Sequence, residues 1–194
     1  MIINTERLII RNFQEKDAEG LYEYLSHPRV NCFLSEKLDS MEAALEDVKE
    51  RGRDKNQFAV CLKENDRIIG NMFTEKEGPD TYGVGWQFNE KYEGKGYAFE
   101  AATAFLNYLF DVKEARRIFG YVEDDNYRSQ RLCDRLGMRR EGCFMEFISF
   151  TNNPDGTPKY ENTCTYAVLK KEWKKGESVS YTHLCSSCHG WKSI

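Results

Sequence analysis

The stretch Lys91-Tyr92-Glu93-Gly94-Lys95-Gly96-Tyr97-Ala98 sets two glycines around a lysine where an apolar strand pattern stops and a helical one starts. The first N–H groups of a helix have no intrahelical partner, and together with the helix dipole they bind anions. Gly94 and Gly96 carry no Cβ to hold a phosphate away from those donors, and both tolerate φ > 0, so successive amides can aim at one point. The chemistry on offer is pyrophosphate binding. A plain helix-start turn uses the same residues, and G-x-G alone does not separate the two. Around Asn126, thirty residues after Gly96, Val122-Glu123-Asp124-Asp125-Asn126-Tyr127-Arg128-Ser129-Gln130-Arg131-Leu132 repeats the strand, loop and polar helix start, so the two loops are expected side by side.

A second cluster of chemistry-bearing residues lies at the C-terminal end. Cys185-Ser186-Ser187-Cys188-His189 fits the c-type haem attachment string, and with His183 it offers four soft ligands within seven residues. Haem attachment of that kind needs an exported chain, and a zinc site spreads its ligands over two separated pairs so that a tetrahedron can close. No metal or haem is therefore expected. Residues 176–194 show no helical or alternating pattern and read as a disordered or non-native tail.

The elements that must position the glycine loop follow from periodicity. Leu8 to Arg11 reads as a strand and Asp17 to Leu25 as a helix closed by His27-Pro28. Ser40 caps a second helix through Val48 that ends at Gly52. Gln57 to Lys63, Arg67 to Phe73 and Tyr82 to Phe88 read as an antiparallel meander. Gly96 to Phe110 carries a helical apolar stripe, and Arg117 to Val122 is a short buried strand, which completes a β-α-β crossover. Asn126 opens a helix that Gly137 ends; Cys143 to Phe150 and Thr163 to Leu169 are strands joined across Asp155-Gly156.

The chain of 194 residues fits one α/β domain, and 40% hydrophobic with 13% aromatic residues fill a core. A net charge of -4 argues against a nucleic-acid clamp. The start MIINTERLIIRNF has too short an apolar run for a leader or membrane helix, so a cytoplasmic protein without membrane partners is expected. Cys32, Cys61, Cys133, Cys143 and Cys164 are scattered singly, as buried free thiols are.

In four stretches the sequence resembles the GNAT superfamily of acetyl-CoA-dependent N-acetyltransferases, and more closely its RimJ/RimL-like branch of ribosomal-protein N-terminal acetyltransferases. They are TERLIIRNFQEKDAEGLYEYL, YEGKGYAFEA, NYRSQRLCDRLGMRREG and YENTCTYAVLKKEW, spanning residues 5 to 173. The resemblance implies a single domain, residues 1–175, with a splayed, mixed and mostly antiparallel β-sheet flanked by helices.

It also implies roles. The pantetheine arm of acetyl-CoA would pair with backbone at Trp86, Gln87 and Phe88, and the pyrophosphate would sit on the amides of Glu93, Gly94, Lys95, Gly96, Tyr97 and Ala98. Asn126 would hold the pantetheine amides, and Arg131 and Lys95 are candidate phosphate partners. Many GNAT enzymes place an acidic Tyr seven residues after that Asn, where this chain has Cys133. Ser129 takes its place as the group beside the leaving sulfur. The branch often carries a Glu where this chain has Tyr82-Gly83-Val84-Gly85-Trp86; Glu146, Glu161 and Tyr121 are candidate bases, with water as a further one.

Phe33, Trp86, Tyr92, Tyr121, Phe144 and Phe147 could line an acceptor groove, but each is expected in the core. His27, on the acceptor side by resemblance, reads as a helix-ending residue. The expected activity is acetyl transfer from acetyl-CoA to a primary amine, a small molecule or a protein N-terminus, by a monomer or homodimer. The alternative is a catalytically weak acyl-CoA-binding domain.

Overall fold

The computed structural model describes residues 1–173 and 180–182. The chain runs β1 (Ile2–Asn4), β2 (Leu8–Arg11), α1 (Ala18–Leu25), α2 (Met41–Arg53), β3 (Gln57–Leu62), β4 (Ile68–Gly78), β5 (Thr81–Phe88), α3 (Tyr97–Asp111), β6 (Arg117–Glu123), α4 (Tyr127–Arg135), β7 (Arg139–Asn152), β8 (Pro158–Leu169) and β9 (Ser180–Thr182). A 3-10 turn, Asn31–Glu36, lies between α1 and α2. The strands form one sheet in the order β7-β8-β6-β5-β4-β3-β2-β1-β9, and every neighbouring pair is antiparallel except β5 with β6.

Helices cover both faces, which is why the central strands are apolar on both sides. Along β3, Phe58, Val60 and Leu62 join the core under α3 and α4, while Ala59 and Cys61 join the core under α1 and α2. The second core is framed by a buried ion pair: Arg11 donates to both carboxylate oxygens of Asp17, at 2.7 and 2.8 Å, and to Asp66 at 3.1 Å. Among the described residues no helix is long and apolar enough to cross a membrane.

Several local expectations hold. Ser40 caps α2 by accepting from the Ala43 N–H, Asn126 caps α4 by accepting from the Ser129 N–H, and Gly137 ends α4 at φ 71°. Others are corrected. The helix α2 runs past Gly52 to Arg53, and β4 continues to Gly78 rather than ending at Phe73. Two short strands that no alternation announces, β1 and β9, pair with each other at the edge of the sheet. The Cys185–His189 string lies outside the described residues. Cys143 and Cys164 are not isolated thiols, because their strands pair them directly with Sγ atoms 2.9 Å apart.

The parallel pair positions the site. It is in register only over Thr81↔Arg117, Tyr82↔Ile118 and Gly83↔Phe119. Beyond that, β5 stays paired to β4 as far as Phe88, and β6 stays paired to β8 as far as Glu123. Two strands held by different outer neighbours diverge, and a wedge opens between Val84–Phe88 and Gly120–Glu123. Gly120 sits at its apex, where a Cβ would lie 3.0 Å from the Val84 carbonyl oxygen.

Candidate active site

The floor of the site is the junction from β5 to α3. Gly94 and Gly96 have φ of 75° and 81°, the left-handed region that favours glycine. A Cβ on Gly94 would meet no protein atom within 4 Å, so the glycine serves the backbone turn, and the space before it is open. Gly96 caps α3 without a side-chain bond, which leaves the first amides of a 15-residue helix facing that space.

The loop is held by residues far away in sequence. Arg7 Nη1 donates to the Lys95 carbonyl at 2.9 Å, and Arg7 also grips Glu100 on the first turn of α3 through Nε at 2.7 Å and its backbone N–H at 2.9 Å. Thr5 Oγ1 donates to the same carboxylate at 2.5 Å, and the Arg7 guanidinium lies 4.6 Å from the Tyr97 ring centre. Burial alone would raise the Glu100 pKa; the bonds from Thr5 and Arg7 outweigh it and hold the carboxyl below its ordinary value. The sequence gives no sign of this clamp, because Arg7 stands just before the Leu8–Arg11 strand and nothing local ties it to a loop some ninety residues on.

The expected neighbouring of the two loops is observed. Glu93 meets Arg29 at 2.5 Å and Arg128, in the first turn of α4, at 3.5 Å. Across the wedge, Trp86 Nε1 donates to Ser129 Oγ at 3.1 Å, so Ser129 does more than satisfy local backbone. Trp86 and Phe88 are half-buried against the α3 core. Gln87 is buried on the other face, and its Oε1 has no hydrogen-bond partner among the described residues. Lys95 lies over the Tyr92 ring, 5.7 Å from Nζ to its centre, and Arg131 is exposed on α4.

The candidate bases are spread over the opposite wall. Tyr121 is an exposed residue of β6. Glu161 is buried at its carboxylate and accepts from Asn31 Nδ2 at 2.5 Å. Glu146 is exposed at φ 50°, where the pairing of β7 with β8 shifts between Phe144 and Ile148. That bulge explains why Glu146 fails to alternate cleanly with Phe144 and Phe147. Its N–H donates to Asn162 Oδ1 at 2.8 Å, and Asn162 Nδ2 donates to Asp124, so the bulge is tied to the loop after β6.

Two further expectations are resolved by position. Tyr121, Phe144 and Phe147 are not core residues; they are 51%, 47% and 50% exposed. They form a ladder with ring centres 6.0 Å apart from Tyr121 to Phe147 and 5.1 Å apart from Phe147 to Phe144. His27 is exposed and its Nδ1 meets Ser26 Oγ at 3.1 Å. Cys133 is fully buried in the α3 core, where burial pushes its thiol up to about 12.

An acetyltransferase (GNAT) domain family matches residues 7–139 of the chain. The chain belongs to the GNAT acetyltransferase family. It is 38% identical over 175 residues to the uncharacterized N-acetyltransferase YnaD of Bacillus subtilis, covering 89% of this chain and 99% of that one. It is 27% identical over 191 residues to the [ribosomal protein uS5]-alanine N-acetyltransferase of Escherichia coli, covering 90% and 93%. Among solved structures, a GNAT-family acetyltransferase from Bacillus anthracis superposes with a TM-score of 0.79 at 35% identity, covering 89% of this chain and all of the other. The chain is thus an acetyl-CoA-dependent N-acetyltransferase with the GNAT fold, and the likeness to the RimJ/RimL-like branch agrees with the relatives found. The wedge and the glycine loop adjoin in this structure.

Proposed function

We propose that this GNAT enzyme moves the acetyl group of acetyl-CoA to a primary amine by direct attack in a ternary complex. The observation that carries the reading is the wedge between β5 and β6, which opens at the glycine-lined N-terminus of α3. The exposed backbone edge of Val84–Phe88 suits pairing with an extended amide-bearing arm, so Trp86, Gln87 and Phe88 hold the pantetheine. The amides from Glu93 through Gly94, Lys95, Gly96 and Tyr97 to Ala98 receive the pyrophosphate, with Lys95 and Arg131 as its cationic partners. Asn126 spends its Oδ1 on the helix cap and turns its amide N–H groups to the pantetheine.

Acetyl-CoA supplies an activated thioester; the protein supplies placement. Holding amine and acyl group together gives much of the rate, and a β5 backbone N–H that faces the wedge polarises the carbonyl. Ser129 stands beside the departing sulfur. Cys133, Cys61 and Cys32 are poor candidates for an acyl-enzyme, because burial pushes the Cys133 and Cys61 thiols up to about 12 and raises Cys32 as well, while nucleophilic thiols need a lowered pKa. Cys133 in place of an acidic Tyr also motivates a second reading, a weakly catalytic acyl-CoA-binding domain.

Thermal unfolding with acetyl-CoA, NAD or ATP tests the cofactor site that both readings share. Ligand at about 100 times its Kd adds about 2.7 kcal/mol, so acetyl-CoA alone is expected to raise Tm by several degrees. Gly94→Val forces a branched side chain into the left-handed region and into the open space before the loop, and is expected to abolish that shift. A shift that survives in Gly94→Val would overturn the loop assignment. Thiol release with a panel of primary amines then supports transfer; a shift without release favours the binding domain.

A further inference from the structure

A buried carboxylate stands at the open end of the wedge. Glu123 is the last residue of β6, beyond the point where pairing with β5 stops, and is 8% exposed. Side chains alternate along a strand, so Glu123 shares its face with Tyr121 and Phe119. Its partner across the ladder is Thr163 of β8. Thr163 is 3% exposed, and its Oγ1 has no hydrogen-bond partner among the described residues. An unmet buried hydroxyl costs about 1–3 kcal/mol, a cost that a polar group docking there removes.

The surroundings are those of a cation seat. Glu161, two residues before Thr163 on the same face of β8, keeps its carboxylate 9% exposed, with Lys159 Nζ at 3.9 Å and Asn31 at its other side. Burial raises the Glu123 pKa; its backbone bond and the Cys32 thiol of the 3-10 turn Asn31–Glu36 oppose this, while the charges of Glu161 and Asp125 add to it. A carboxylate shifted toward neutrality is matched to accepting a proton from an ammonium. The exposed aromatic ladder shares this face through Tyr121, and a cleft of about 360 Å³ lined by Phe119, Tyr121, Phe144 and Thr165 together with Arg117 and Glu141 runs from the ladder toward the start of β6.

We propose that Glu123 is the base that deprotonates the acceptor, and that the acceptor is a primary ammonium whose apolar body lies on Tyr121, Phe144 and Phe147. The proposal rests on the acetyl-transfer reading above. One ammonium proton passes to the Glu123 carboxylate, and the freed lone pair forms a C–N bond to the thioester carbonyl carbon. The C–S bond breaks with its electron pair on sulfur, the second nitrogen proton ends on that sulfur, and the products are a neutral amide and the CoA thiol. Glu123 then returns its proton to solvent.

Two probes carry the ammonium in its two natural settings: phenethylamine for a small amine and an alanine-initiated tetrapeptide for a protein N-terminus. Whichever the wild-type protein acetylates faster identifies the source. With that probe, kcat/KM is expected to rise with pH along a lower limb set by Glu123. In Glu123→Gln the limb disappears and kcat/KM at pH 7 falls about 100-fold, while the Tm shift with acetyl-CoA stays unchanged. Glu123→Asp is expected to keep the limb at a reduced rate, which guards against a folding artefact. Independently of turnover, carboxyl NMR should place the Glu123 titration above the ordinary glutamate value and move it down when the probe amine is added. Phe147→Ala should raise KM about tenfold with kcat unchanged. A Glu123→Gln protein that keeps both limb and rate, or a limb lost instead in Glu146→Gln or Tyr121→Phe, overturns the assignment; an unmoved KM in Phe147→Ala overturns the aromatic seat. If the wild-type protein neither shifts with acetyl-CoA nor releases thiol, the transfer reading itself has failed.

Discussion

The hydroxyl of Ser129 is shared between two tasks. It accepts the indole N–H of Trp86 across the wedge, while its backbone N–H completes the Asn126 cap. A hydroxyl that already accepts from the indole points its own hydrogen elsewhere, which orients it as a donor. Ser129→Ala is expected to lower kcat about tenfold, the worth of one hydrogen bond of about 1.4 kcal/mol made in the transition state, with KM for acetyl-CoA little changed. The same variant leaves the Trp86 N–H unmet and should cost about 1 kcal/mol of stability. Equal losses in kcat and acetyl-CoA affinity would mean that Ser129 only shapes the wedge. The family resemblance points to Ser129, three residues after Asn126, whereas its indole partner is hidden because it lies on a strand forty-three residues earlier.

Among the elements, β6 matters most, since its end must diverge from β5 yet stay anchored to β8 and β7. Arg117 at its start forks onto Glu141 of β7, with Nη1 at 2.9 Å and Nη2 at 2.5 Å, and Arg139 meets the same carboxylate at 2.6 Å. The bond from Arg117 lowers the Glu141 pKa to about 2, against a small burial effect and with help from Arg139. A lowered pKa stabilises the fold above the unfolded value of 4.5 and loses that contribution as pH falls toward about 2. Because the group is partly solvent-exposed, Glu141→Gln should cost only about 1 kcal/mol near neutral pH. Denaturant midpoints are expected to differ between the two proteins at pH 7 and to converge only as pH falls to about 2. A constant gap would assign the effect to packing. The short apolar run from Arg117 to Val122 marks β6 as a buried strand, but not the point at which its pairing with β5 ends, because that depends on which outer strand holds each partner.

At the scale of the molecule, two cores lie back to back across one sheet: one under α3 and α4, the other under α1 and α2. The second is pinned by Arg11, whose side chain is 6% exposed and paired with Asp17 at 2%. Breaking a buried pair costs about 3–5 kcal/mol when the charge is left unpaired; Arg11 keeps Asp66 at 3.1 Å, so the lower end of that range applies. Asp17→Ala is therefore expected to lower stability by that amount in urea unfolding, while the Tm increment from acetyl-CoA survives in the protein that remains folded. Loss of the increment as well would show that the second core also sets the wedge.

The sequence by itself determined the helices, every strand but β1 and β9, the glycine loop and the Asn126 helix start, because caps, periodicity and φ > 0 glycines are local constraints written within a few residues. It also carried the family, through the order and spacing of those local signals. Only the tertiary structure decided where β5 and β6 part, that Arg7 and Glu100 clamp the loop, that Tyr121, Phe144 and Phe147 face solvent rather than core, and that Glu123 is buried beside Thr163. Glu123 read as one of three acidic residues in a loop, although its parity with Tyr121 along β6 already fixed the face they share. Burial, unlike face, depends on what the remote 3-10 turn Asn31–Glu36 and β8 bring against it, and no spacing within β6 encodes that.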